Sequence, residues 1–132
     1  MQGGSISGFS CGGADGVVYV QSGTNPGFEM TGGVIENNGP RGAVLVWTGT
    51  FNMSGGIIRN NSNNRENHAG GITVGGTYAA TLIKSGGTVS GNTSDTSLTE
   101  KANNIYITGN DKGYYGTTAE NVQNYSVAVI DP

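Results

Sequence analysis

A single cysteine, Cys11, stands in a chain of 132 residues, and this excludes an internal disulfide framework. Charge is scarce too: 11% of residues are charged and the net charge is −3. The six basic residues form no cluster along the sequence, which argues against nucleic acid and against an anionic membrane surface. No apolar run of about 18 residues occurs, so no membrane insertion of this segment is expected. Hydrophobic residues make up 34% of the chain, too little for a conventional globular core. Nor is there a 3.6-residue apolar stripe, and Gly, Asn, Ser and Thr are poor residues for helix interiors. Helix is excluded as the main element.

What the chain does have is glycine, 25 of them, and a repeat. FEMTGGVIENN (Phe28–Asn38) returns as FNMSGGIIRNN (Phe51–Asn61) and more loosely as LIKSGGTVSGN (Leu82–Asn92). A shortened copy, MQGGSISGF, occupies Met1–Phe9. Superposition places Met1, Met30, Met53 and Lys84 in one column, spaced 29, 23 and 31 residues apart. A Gly-Gly pair and then an aliphatic residue follow each time: Ile6, Ile35, Ile58 and Val89. After a loop of variable length comes a second apolar run: VVYV (Val17–Val20), AVLV (Ala43–Val46), GITV (Gly71–Val74) and NIYI (Asn104–Ile107).

Within each run the apolar period is two, the mark of short, half-buried strands. A unit of this size cannot bury its own face, but units stacked on one another can. The expected inward columns are Phe28/Phe51/Leu82, Met1/Met30/Met53, Ile6/Ile35/Ile58/Val89, Val18/Val44/Ile72/Ile105 and Val20/Val46/Val74/Ile107. Length variation falls at one corner, as stacked coils predict. The fold class read from this pattern is all-β: a right-handed, single-stranded parallel β-helix of about four coils. Coils occupy 1–109, and 110–132 form a C-terminal capping segment whose stretch Tyr125–Ile130 reads as one last strand. Asn37-Asn38, Asn60-Asn61 and Gly91-Asn92 end equivalent strands, where Asn and Gly tolerate a left-handed corner. Stacked Asn amides there can hydrogen-bond from coil to coil.

The pattern [FL]-x-M-[ST]-G-G-x-I-x-x-N followed by G-x-V-x-V resembles the repeats of bacterial surface β-helix proteins. These are adhesin-like or autotransporter-type passengers, polymorphic outer-membrane proteins among them, with the pectin-lyase-like superfold. The resemblance covers Met1 to Gly109; Lys84 in the Met column and Asn103-Asn104 in place of a small pair depart from it. It implies an extracellular or cell-surface location and a non-catalytic stalk or adhesive module that contacts a glycan or host-surface ligand. The alternative is a carbohydrate-active polysaccharide lyase or hydrolase of the same superfold.

Catalysis on a glycan needs carboxylates facing each other across the scissile bond, and the nine acids are scattered: no outward column stacks acid on acid. The reading therefore leans away from an enzyme. Glu36 and Arg59 occupy equivalent outward positions and make a surface ion pair the simpler expectation. His68 is the only histidine, GGADG (Gly12–Gly16) has one acid, and KSGGT lacks the rest of a phosphate loop, so no metal or cofactor site is read. The outward columns Thr31/Ser54/Ser85 and Tyr19/Leu45/Thr73/Tyr106 do not make the flat Thr grid of an ice-binding face. Tyr19, Trp47, Tyr78 and Tyr106 lie on or just after the V-x-V strands and are the candidate ligand-binding residues, able to stack on sugar rings. The polar loop SNNRENHA (Ser62–Ala69) reads as solvated and tolerant of insertion after Asn64. The first copy starts in mid-motif, which leads to the expectation of a piece of a longer β-helix that self-associates end to end through the Met1–Val20 coil.

Overall fold

The structure is a computed structural model. It describes residues 1–13, 16–21, 27–75, 79–94 and 104–107, together with the backbone of three later strands, 112–115, 123–125 and 128–129. Among these residues the chain is all-β, without helix. The strands are β1 (Ser5–Ser7), β2 (Val18–Gln21), β3 (Phe28–Glu36), β4 (Val44–Arg59), β5 (Ser62–Asn63), β6 (Ile72–Val74) and β7 (Ala80–Lys84). After them come β8 (Thr88–Ser90), β9 (Thr93–Ser94), β10 (Ile105–Ile107), β11 (Lys112–Tyr115), β12 (Gln123–Tyr125) and β13 (Ala128–Val129). Pairing is parallel throughout β1–β11, in sheets that do not close into a barrel.

The long strand β4 organises the rest. Its Val44–Val46 part lies between β2 and β6, its Phe51–Met53 part between β3 and β7, and its Ile57–Arg59 part between β3 and β8. One repeat is thus hydrogen-bonded on both edges, segment by segment, to the repeats before and after it. The inward columns read from the sequence pair in this register, from Ile6↔Ile35↔Ile58↔Val89 to Val20↔Val46↔Val74↔Ile107. Their residues form one apolar core, with Met1, Ile6, Val18 and Phe28 partly buried against it. Phe28 and Phe51 stack with ring centroids 5.2 Å apart.

Where separate short strands were expected, β3 and β4 run unbroken through the Gly-Gly corner. The glycines make the bend: a Cβ on Gly55 would lie 2.3 Å from the Thr31 carbonyl oxygen, and Gly56 has φ of +87°. Lys84 pairs with Met53 in the methionine column, where it is buried and its Nζ donates to the Gly87 carbonyl at 2.9 Å. Outside, Arg59 Nε meets Glu36 Oε2 at 2.8 Å, an exposed pair contributing under about 1 kcal/mol.

The corner after each Gly-Gly strand carries the amide ladder. Asn37 and Asn60 take φ of 57° and 55°, which turns the next residue inward. Asn38 donates its backbone N–H and Nδ2 to Asn61 Oδ1 (3.1 and 3.0 Å), and Asn61 donates likewise to Asn92 Oδ1 (3.0 and 2.9 Å). Each Nδ2 also reaches a carbonyl one repeat back, on Ile6, Ile35 and Ile58 in turn. Asn104 was expected only to replace a small residue before its strand. It does that, and its Oδ1 also accepts from Asn92 N–H and Nδ2 (3.2 and 2.9 Å), ending the ladder. Further on, β12 lies antiparallel to β11 and β13 antiparallel to β10; of the strand expected over Tyr125–Ile130, residues 126, 127 and 130 lie outside the described residues.

Ile58 is fully buried and Ile57 only half so. Ile58→Asn is expected to destabilise by roughly 3–5 kcal/mol and Ile57→Asn by about 1 kcal/mol. Urea unfolding of the two variants checks this, and equal losses would mean a register one residue off.

Candidate functional site

Tyr19, Leu45, Thr73 and Tyr106 share one register column on β2, β4, β6 and β10, alternating with core residues and so facing away from the core. Steps of about 4.8 Å place the two tyrosines roughly 14 Å apart. The column is not the open outward face that the alternation suggested. Leu45 is only 3% exposed and Thr73 2%. The segment entering β6 folds back onto the sheet, where buried Ala69 donates its N–H to Thr73 Oγ1 at 2.8 Å. Tyr19 remains exposed at one edge and Tyr106 half-buried at the other. Trp47 is half-buried where the β2–β4 register shifts, opposite no β2 residue. Tyr78 lies outside the described residues. Tyr19 and Tyr106 therefore stand at opposite ends of the column, with buried Leu45 and Thr73 between them.

The adjoining corner holds more chemistry than its sequence suggested. Asn63, on β5, is 2% exposed and acts as its pin. Its Nδ2 donates to the carbonyls of Arg41 and Ala69, both at 3.0 Å, and its Oδ1 accepts the Arg65 N–H at 2.9 Å. Asn64 N–H donates to the Pro40 carbonyl at 2.9 Å, while Arg41 Nη1 donates to Asn64 Oδ1 at 2.7 Å. Ser94 Oγ donates to the His68 carbonyl at 3.1 Å. The loop is tied at both ends and in its middle, so the expected tolerance to insertion after Asn64 is corrected: an insertion there cuts between two anchored residues.

Arg41, from the preceding repeat, joins the loop that carries Arg65 and His68 through its bonds to Asn63 and Asn64. The only sequence signal was a basic residue at the same corner in two successive repeats. His68 Nδ1–H donates to the Glu66 carbonyl at 2.8 Å, which leaves Nε2 as the acceptor of the neutral ring. Burial holds the His68 pKa below its ordinary 6.5; the Glu66 carbonyl opposes this, and the charges of Arg65 and Arg41 add to it. Among the described residues no group of three His, Cys, Asp or Glu side chains is placed to hold a metal ion. No family model, curated protein or solved structure matches this chain.

A lowered folded-state pKa means that the unfolded chain takes up the proton first. Stability is therefore expected to be whole above the ordinary histidine value of 6.5 and to decline as pH falls through it toward the folded value. Thermal melts across that range, for the wild type and His68→Gln, check the sign: the variant should lose this part of the decline and keep the part due to carboxylates.

Proposed function

We propose that this chain is a stretch of right-handed, single-stranded parallel β-helix from a bacterial cell-surface or secreted protein. It serves there as a non-catalytic rigid stalk or as an adhesive, glycan-contacting module. The observation that carries the reading is the register of β4, whose three segments each lie between the matching segments of the neighbouring repeats. A chain that stacks this way transmits load along its axis through hydrogen bonds and core columns at once. Of the acids, Glu36 is occupied by Arg59. The antiparallel strands β12 and β13, laid on β11 and β10, support a capping role for 110–132.

Two measurements test this. Incubation with polygalacturonate and alginate should release no unsaturated or reducing ends, while a glycan array reports any adhesive contact. Turnover that disappears on replacing a carboxylate would establish the carbohydrate-active alternative instead. The edges of β1 and β2 away from β3 and β4, with Met1, Ile6 and Val18 only partly buried beside them, suit a second copy. Light scattering over a concentration series should show a dimer forming through the Met1–Val20 coil. A strict monomer whose β1 amides exchange slowly with deuterium would count against that contact.

A further inference from the structure

We propose that the first Gly-Gly step, Gly3-Gly4 beside the outer edge of β1, is a strand-addition site that takes an extended peptide of the Met-Ser/Thr-Gly-Gly type in parallel register. The inference rests on the same β1 edge as the self-association reading and names the chemistry that this edge holds. The later copies define the occupant, because each of them already holds one. A Cβ on Gly32, Gly55 or Gly86 would lie 2.3, 2.3 or 2.4 Å from the carbonyl oxygen of Gln2, Thr31 or Ser54, one repeat back. A Cβ on Gly33, Gly56 or Gly87 would lie 2.7, 2.5 or 2.7 Å from the Cε methyl of Met1, Met30 or Met53. On Gly3 and Gly4 it would meet nothing within 4 Å. The backbone there has the same shape: φ is +82° at Gly4, against +83° at Gly33 and +87° at Gly56. The first step thus presents open space where the later ones seat a carbonyl and a methionine methyl.

Backbone donors complete the seat. The N–H groups of Thr31 and Gly32 both donate to the Met1 carbonyl, at 2.9 and 3.3 Å, and those of Ser85 and Gly86 donate to the Met53 carbonyl at 2.9 and 3.3 Å. Their equivalents in the first copy belong to Gln2 and Gly3, which are exposed and have no backbone acceptor among the described residues. One carbonyl of an added strand would receive both, as strand addition at a sheet edge requires. Met1 and Ile6, partly buried against the core, give the added methionine an apolar floor. A folded second copy keeps its own Met30 and Met53 buried, so the occupant is an exposed, extended segment of another chain, and it competes with a second copy for this edge.

The test is an NMR titration of the isotope-labelled chain with the synthetic peptide FEMTGGVIENN, which has the sequence of Phe28–Asn38, and with the same peptide bearing Met30→Asp. Saturable shifts of the Gln2, Gly3 and β1 amides, with contacts between the peptide methionine methyl and Gly4, are the expected result. The Met30→Asp peptide should bind at least about tenfold more weakly, since a charge replaces the methyl on the apolar floor. Gly3→Ala is the decisive variant. Its Cβ has open space in the free chain, so the melting temperature should match the wild type, yet it stands where the incoming carbonyl must pass and should abolish the shifts. Absence of a saturable shift at Gln2 and Gly3 overturns the proposal, and so does a Gly3→Ala chain that binds the peptide as tightly as the wild type. Light scattering separates this inference from self-association. A dimer that dissociates as peptide is added supports the site, as does a strict monomer that binds the peptide. A dimer that persists without shifts overturns the site and leaves self-association standing.

Discussion

A primary amide taken out of water must find acceptors for two N–H groups and donors for its oxygen. Asn38, Asn61 and Asn92 solve that problem with one another, and the solution fixes how the repeats align. Apolar columns alone do not fix the alignment. A slip of one residue would turn a core face outward, but a slip of two would keep every inward residue inward. The ladder forbids the second slip. Moved by two residues, each Oδ1 would face a strand position with no amide, and a buried, unsatisfied group would appear at every rung. The polar residues inside this core therefore select the register, and the aliphatic residues supply the driving force.

The Gly-Gly corner adds a second lock of a steric kind. Gly55 passes so close to the Thr31 carbonyl that no side chain fits, and the methyl of Met30 packs beneath Gly56. The methionine of one repeat thus fills the space that the glycine of the next leaves open, which explains why the two residue types recur together. Lys84 shows what that column demands. It requires an unbranched stem of the right length, and the end group can be polar if a corner carbonyl receives it.

Most of this was legible in the sequence because it is repeated: four copies average out local ambiguity, and a period of two leaves only two phases to choose between. The columns, the Glu36–Arg59 pair and the Asn rungs from 38 to 92 all follow from superposing the copies. What escaped is what occurs once. Leu45 and Thr73 carry the outward phase, yet both are buried, and Thr73 Oγ1 receives the Ala69 N–H. Asn104 belongs by backbone to the V-x-V run and by side chain to the ladder, so alignment alone gives it one role of its two. The Asn63 corner was hidden for a similar reason, since a polar loop reads as solvated until its hydrogen bonds are traced.

The ends of the ladder carry this contrast further. At the first rung, Phe9 stands where an asparagine stands one repeat on; it offers Asn38 only its backbone N–H, and its side chain is 56% exposed. At the last, Asn104 reaches in from the neighbouring strand and spares Asn92 an open amide. The two ends therefore differ in kind: one is satisfied by the backbone with an apolar ring left at the surface, the other by a side chain drawn from the same repeat. In a fold whose interior is set by repetition, such individual chemistry collects where the repetition stops or is interrupted. The Asn63 corner is the second such place, because there one buried asparagine pins the chain between β5 and β6. Repeated residues hold the shape, and residues that occur once give the surface its particular contacts.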